Sequence, residues 1–148
     1  MPDAPDDESV AVLETVRECV DARLDLVALR MEREVPGQLG SALGYALRSP
    51  GKRVRPALVI AAYQTCGGRH PAITALASAV EIVHTYSLVH DDLPSMDNDA
   101  LRRGRATTHV AFDVPTATRV GYLLVPVAAE ELADAGTAMG LDPETVGA

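Results

Sequence analysis

The sequence predicts an all-α protein, a helical bundle. Two observations lead there: apolar residues recur at three- and four-residue intervals, and aromatics are scarce with no Trp, so the core must be built from aliphatic side chains on helices. At 148 residues the chain is long enough for one domain with its own core. Residues 1–8, rich in Pro and Asp, have nothing to bury and read as a flexible acidic tail; residues 9–148 read as a single helical domain.

From Ser9, a candidate N-cap, to Glu34, the positions Val12, Val16, Val20, Leu24, Val27 and Met31 define one apolar stripe and hence a long amphipathic helix. Pro36 and Gly37 interrupt it. A short helix with Leu39, Leu43, Tyr45 and Leu47 comes next, and Ser49-Pro50-Gly51 makes another break, so that Lys52, Arg53 and Arg55 are presented on a loop. Residues 57–65 are apolar enough for a buried strand, but Leu58, Ala61 and Ala62 keep a helical rhythm up to the stop at Cys66-Gly67-Gly68. Pro71 suits the first turn of the helix that runs through Ile73, Leu76, Val80, Val83, Tyr86 and Leu88. The chain is then polar to about His109. A last apolar segment, 120–132, is crossed by Pro126, which is expected to kink or end a helix, and Gly136 and Gly140 loosen the carboxyl-terminal tail. About five helices result.

Charge narrows the function. The net charge of −8 argues against nucleic acid or anionic lipid as a partner, and no apolar stretch is long enough to cross a bilayer. Cys19 and Cys66 have no metal-ligand spacing and read as reduced thiols, which points to a cytoplasmic protein. Against the acidic average stand two basic islands, Lys52/Arg53/Arg55 and Arg102/Arg103/Arg105, which suggest a specific anion.

Between them lies His90-Asp91-Asp92-Leu93-Pro94-Ser95-Met96-Asp97, with Asp99 just beyond. Crowded carboxylates repel unless a cation relieves them, and hard oxygen ligands without Cys suit Mg²⁺. An ion held by one or two carboxylates keeps positions open for phosphate oxygens, which would join the acidic run to the basic islands through a diphosphate. On a helix, His84 and Asp91, seven apart, share a face, whereas Asp91 and Asp97 do not; a break at Leu93-Pro94 is needed to return Asp97 to the same ion.

The flanks sharpen this. Glu81-Ile82-Val83-His84-Thr85-Tyr86-Ser87-Leu88-Val89-His90 leads into the acidic run, Leu101-Arg102-Arg103-Gly104-Arg105-Ala106-Thr107-Thr108-His109 lies after it, and Gly51-Lys52-Arg53-Val54-Arg55-Pro56 lies upstream. Together they resemble the trans-polyprenyl diphosphate synthases, the family of farnesyl and geranylgeranyl diphosphate synthases, over roughly residues 42–112. The resemblance implies the amino-terminal half of the isoprenoid synthase fold. It implies a prenyltransferase that condenses isopentenyl diphosphate with an allylic diphosphate through Mg²⁺-assisted ionisation. Asp91, Asp92 and Asp97 match the first aspartate-rich motif, which holds Mg²⁺ on the allylic diphosphate; Arg102 matches the arginine contacting that diphosphate; Lys52, Arg55, His84 and Arg103 match the grip on isopentenyl diphosphate. Tyr86, upstream of Asp91, implies a short product of C10 to C20.

The resemblance fades after Phe112, and the family's second aspartate-rich motif is not recognisable. Glu130, Glu131 and Asp134 have a suggestive spacing, but an acidic exposed stripe is the ordinary reading of them. The chain is therefore expected to be a truncated or split synthase, completed by a second synthase-like subunit or by further copies of itself. A non-catalytic modulator of a full-length synthase and a terpene cyclase are the alternatives; Lys52, Arg55 and His84 favour condensation over cyclisation because they imply a second diphosphate.

Overall fold

The computed structural model describes residues 7–142 and 144. Among them, six helices and one minimal hairpin run in the order α1 (Asp7–Glu34), α2 (Gln38–Leu47), α3 (Val54–Thr65), α4 (Ile73–Asp91), β1 (Leu101–Arg102), β2 (Arg105–Ala106), α5 (Thr108–Ala111) and α6 (Val114–Ala138). The all-α expectation holds. The hairpin and α5 lie in the stretch that reads as polar connection in the sequence.

Helix α4 is the hub: it packs most extensively on α6, with α1 and α3 against it as well, while α2 fills the space between α1 and α6. The core is aliphatic, as composition requires. Val20, Leu24, Val27 and Met31 of α1 meet Leu43 and Leu47 of α2, Ile82 and Val89 of α4, and Val120, Leu124 and Val127 of α6 in one buried cluster. The apolar stripe of α1 is buried only from Val20 onward; Val12 is 57% exposed. Gly121 lets α4 and α6 approach closely, since a Cβ there would collide with the imidazole of His90.

Several expectations need correction. Helix α1 begins at Asp7, so Ser9 lies inside it rather than capping it, and residues 7–8 of the expected tail are helical; residues 1–6 lie outside the described residues. Helix α3 starts before Pro56, which occupies its first turn, where no backbone N–H is required. Pro71 sits in the turn that precedes α4. Pro126 does not end α6, which runs from Val114 to Ala138. That helix starts at a signal upstream of the apolar segment: Asp113 caps it, its Oδ1 accepting from the Thr116 N–H at 2.7 Å, with Pro115 in the first turn. The Thr116 side chain, and then its backbone N–H, hold the Asp113 carboxyl below its ordinary value.

Glu131 is not part of an exposed stripe. It is 2% exposed and receives Arg23 at 2.7 Å and Arg30 at 3.3 Å, both from α1, while Glu130 takes Arg30 at the surface and Asp134 is exposed. A buried carboxylate is tolerated only when paired in this way.

Candidate functional site

The C-terminal end of α4 places the acidic run. The helix stops at Asp91, slightly ahead of the expected Leu93-Pro94 break, and the chain folds back on itself: the Asp97 N–H donates to the Asp91 carbonyl at 2.9 Å, and the Met96 and Asn98 N–H groups both donate to the Leu93 carbonyl. Asn98 takes a left-handed conformation, φ 54°, which this residue type accepts more readily than most. The turn thus brings the backbones of Asp91 and Asp97 together, as the six-residue spacing demanded.

The three carboxylates differ in environment. Asp92 is 4% exposed and held by Arg102, whose Nε donates to Oδ1 at 2.7 Å; Arg102 also reaches Asp99 at 3.2 Å. The bond to Asp92 raises the guanidinium's already high affinity for its proton. Asp91 is half-buried and Asp97 exposed. Among the described residues no three metal-ligand side chains gather into a preassembled cage. Asp92 is paired with Arg102, and Asp91 and Asp97 lie nearer the solvent. The donor set still suits Mg²⁺, an oxygen-seeking ion commonly bound through one or two carboxylates plus substrate phosphate.

The second basic island forms the hairpin. Arg103 and Gly104 occupy its tip with φ of 53° and 78°; a two-residue turn with both values positive is the type that matches strand twist. From this tip Arg103 donates to the Pro50 carbonyl, joining two segments remote from each other in sequence. Arg105 stacks on Tyr45 of α2, 4.1 Å from the ring centroid, and donates to the Arg48 carbonyl, while the Tyr45 hydroxyl donates to the Ala106 carbonyl. Arg102 therefore faces the aspartates, Arg103 the first basic loop, and Arg105 the scaffold.

Between the hairpin tip, the 50–55 loop and α4 opens a cleft of about 420 Å³ lined by Lys52, Arg55, His84 and Arg103. This is space for a ligand and not only for ordered water, which takes about 30 Å³ a molecule. Lys52 and Arg55 are exposed, and Arg55 lies 3.4 Å from Nε2 of His84. Burial, then the charge of Arg55, push the His84 imidazole below its ordinary value. A second, narrower pocket of about 40 Å³ lies on the other side, lined by Asp92, Arg102, Leu88 and Thr85, and Arg53, Glu81 and Arg103 border both. Of the sequence-derived candidates, Lys52, Arg55, His84 and Arg103 share the cleft, and Asp92 and Arg102 share the pocket. Sequence reasoning put Arg53 in the basic island presented on a loop, where the structure buries it, and gave Glu81 no role. A lone glutamate within the apolar run of α4, one turn before His84, was the available signal.

Comparison with known proteins bears on the family and the fold. The polyprenyl synthetase family model matches residues 36–144. A heterodimeric geranylgeranyl pyrophosphate synthase large subunit from Arabidopsis thaliana is 42% identical over 132 residues, 89% of this chain and 35% of that protein. A farnesyl diphosphate synthase from Geobacillus stearothermophilus is 42% identical over 106 residues, 71% of this chain and 35% of that protein. The crystal structure of a geranyltransferase from Legionella pneumophila superposes with a TM-score of 0.76 at 38% identity, covering 93% of this chain and 49% of that one. The chain thus spans about a third of the length of these curated relatives and about half of the solved one.

Proposed function

Since the chain belongs to the polyprenyl synthetase family, we propose that it holds two diphosphates side by side in a prenyltransferase that makes short-chain products. The carrying observation is that the cationic cleft of Lys52, Arg55, His84 and Arg103 adjoins the Asp92–Arg102 pair at the end of α4, so that the chain offers two separate groups of charged residues to two diphosphates. A cyclase needs only one of them.

In this reading the allylic diphosphate lies against Asp91, Asp92, Asp97 and Arg102, and isopentenyl diphosphate is gripped by Lys52, Arg55, His84 and Arg103. The allylic C–O bond breaks with its electron pair leaving on pyrophosphate. The alkene of isopentenyl diphosphate attacks the resulting cation, forming a C–C bond, and loss of a proton regenerates an allylic product. Arg102 is preorganised for the leaving group because Asp92 fixes its guanidinium, and charge placed before the reaction stabilises developing charge without reorganisation. Mg²⁺, held by Asp91, Asp92 and Asp97, would neutralise the allylic diphosphate and favour its departure. Lys52 and Arg55 anchor the second substrate, and His84 in its neutral form accepts from Arg55 or donates to a phosphate oxygen. Tyr86, five residues before Asp91 and edge-on to His90 with centroids 4.9 Å apart, supports a C10 to C20 product by its bulk.

The rest of the centre is assigned to a second synthase-like subunit that carries the other aspartate-rich motif, or to self-assembly around the motif this chain has. An exposed apolar stripe on α6, with Tyr122 67% exposed and Val125 and Leu132 also open, supports an assembled state. The two free, exposed cysteines support a reducing cytoplasm. Among the described residues no helix is long and apolar enough to cross a membrane. The test is turnover of isopentenyl diphosphate with an allylic diphosphate and Mg²⁺, alone and with candidate partner subunits, alongside the mass of the native assembly. Condensation in one of these mixtures is expected. Inactivity in all of them, with the helical fold intact by circular dichroism, rejects the reading.

A further inference from the structure

The first basic island is not one site. Lys52 and Arg55 are exposed, whereas Arg53, between them, is 5% exposed and turned into the protein. Each of its three guanidinium nitrogens has a partner: Nε donates to Asp21 of α1 at 2.7 Å, Nη1 to Glu81 of α4 at 2.8 Å, and Nη2 to the Ser49 carbonyl at 2.8 Å. Its backbone is left-handed, φ 51°, and it forms the N-cap of α3. A non-glycine residue holds that conformation only when its surroundings impose it.

Glu81 is equally enclosed, at 3% exposure, and lies one turn before His84 on the same helix. Arg53 and Glu81 together border both the cleft and the Asp92–Arg102 pocket. Anchoring Arg53 on one side to α4 and on the other to Ser49 leaves the intervening residues Pro50, Gly51 and Lys52 little freedom, and it sets the direction in which α3 leaves and therefore where Arg55 points. Neutralising Glu81 also keeps an unpaired negative charge out of the wall of a cleft that receives an anion.

We propose that the buried Arg53–Glu81 pair is a positioning element for the isopentenyl-side diphosphate, holding Lys52 and Arg55 opposite His84 without itself touching the ligand. This rests on the two-diphosphate reading above. It separates the three neighbouring cations at the start of α3 into two ligand-binding residues and one that places them.

The discriminating variants are Arg53→Lys, which keeps the charge but donates from a single nitrogen and cannot span the three separated partners, and Arg53→Met with Glu81→Leu, which removes the pair and leaves no buried charge unmatched; such replacement of a buried pair is often neutral for stability. In the intact protein, calorimetric titration with isopentenyl diphosphate and separately with geranyl diphosphate reads the two sites. The double variant is expected to lose at least about tenfold in affinity for isopentenyl diphosphate, as misplaced anchoring groups do, with Arg53→Lys intermediate and geranyl diphosphate binding changed less than about threefold. A merely structural pair would shift both ligands alike or neither, and either result overturns the proposal. If the double variant fails to fold, the Arg53→Lys comparison decides on the same two titrations. A parent protein that binds neither diphosphate overturns the two-diphosphate reading itself, whereas a parent that binds both and variants that match it overturn the positioning role alone.

Discussion

Glu81 and Glu131 are two almost fully buried glutamates, each facing arginines, at two places in one bundle. Their surroundings differ. Glu131 is gripped by Arg23 and Arg30, two turns apart on α1, both partly open to solvent, and the bonds fasten helix to helix. Glu81 is met by one arginine as buried as itself, which comes from a loop and has the cleft-lining Lys52 and Arg55 close to it in sequence. The same device therefore closes a helix–helix seam in one region and fixes a loop in the other. The two glutamates are buried alike; the pairs differ in which segment they tie down and in how far their arginines reach solvent.

The sharpest way to break that distinction acts on the pocket beside Glu81. Arg102→Ala should lower turnover of the assembled enzyme by roughly 10²- to 10³-fold, the range for removing a preorganised donor to a leaving group. Steady-state kinetics with an allylic diphosphate check this, and a loss below about fivefold would remove Arg102 from the chemistry. Next comes Glu131→Ala. It should cost about 2 kcal/mol in urea unfolding, less than the roughly 3–5 of a fully enclosed pair because Arg23 and Arg30 can turn to water, and should leave diphosphate affinity unchanged. A parallel fall in affinity would mean that the two regions are not independent.

The smallest effect is at His84. Burial and Arg55 keep its imidazole below the ordinary value of about 6.5 that it recovers on unfolding. Between those two values the unfolded chain binds more protons, so this residue makes stability rise with pH through that window, adds nothing further above about 6.5, and gives its full penalty below the folded value. His84→Gln should therefore lose less stability than the parent when urea midpoints are compared at about pH 7.5 and at a pH below the window. An identical loss in both would show that neither burial nor Arg55 lowers the His84 imidazole in the folded chain.

Much of this was legible in residue order. The stripe of α1, the Pro and Gly breaks around α2 and α3, and the run into Asp91 come from period and punctuation, and the membership of Asp91, Asp92, Arg102, Lys52, Arg55, His84 and Arg103 in one region comes from motif resemblance. The extent of α6 was misread because its start lies in a cap, Asp113, outside the apolar segment, and because Pro126 was given more weight than the packing that holds the helix through it. The hairpin at 101–106 was invisible because each strand is two residues long and shows no alternation.

By itself the sequence determined the helices, the family, and a cluster of carboxylates flanked by cations, since these depend on side-chain type and on spacing along the chain. Only the tertiary structure decided that Asp92 is committed to Arg102, that Arg103 spans to Pro50, and that Arg53 and Glu131 are buried while Lys52 and Glu130 are not. Those assignments depend on which oppositely charged groups from remote segments arrive within hydrogen-bonding distance once the core has closed. A charge can be buried only where such a partner arrives with it.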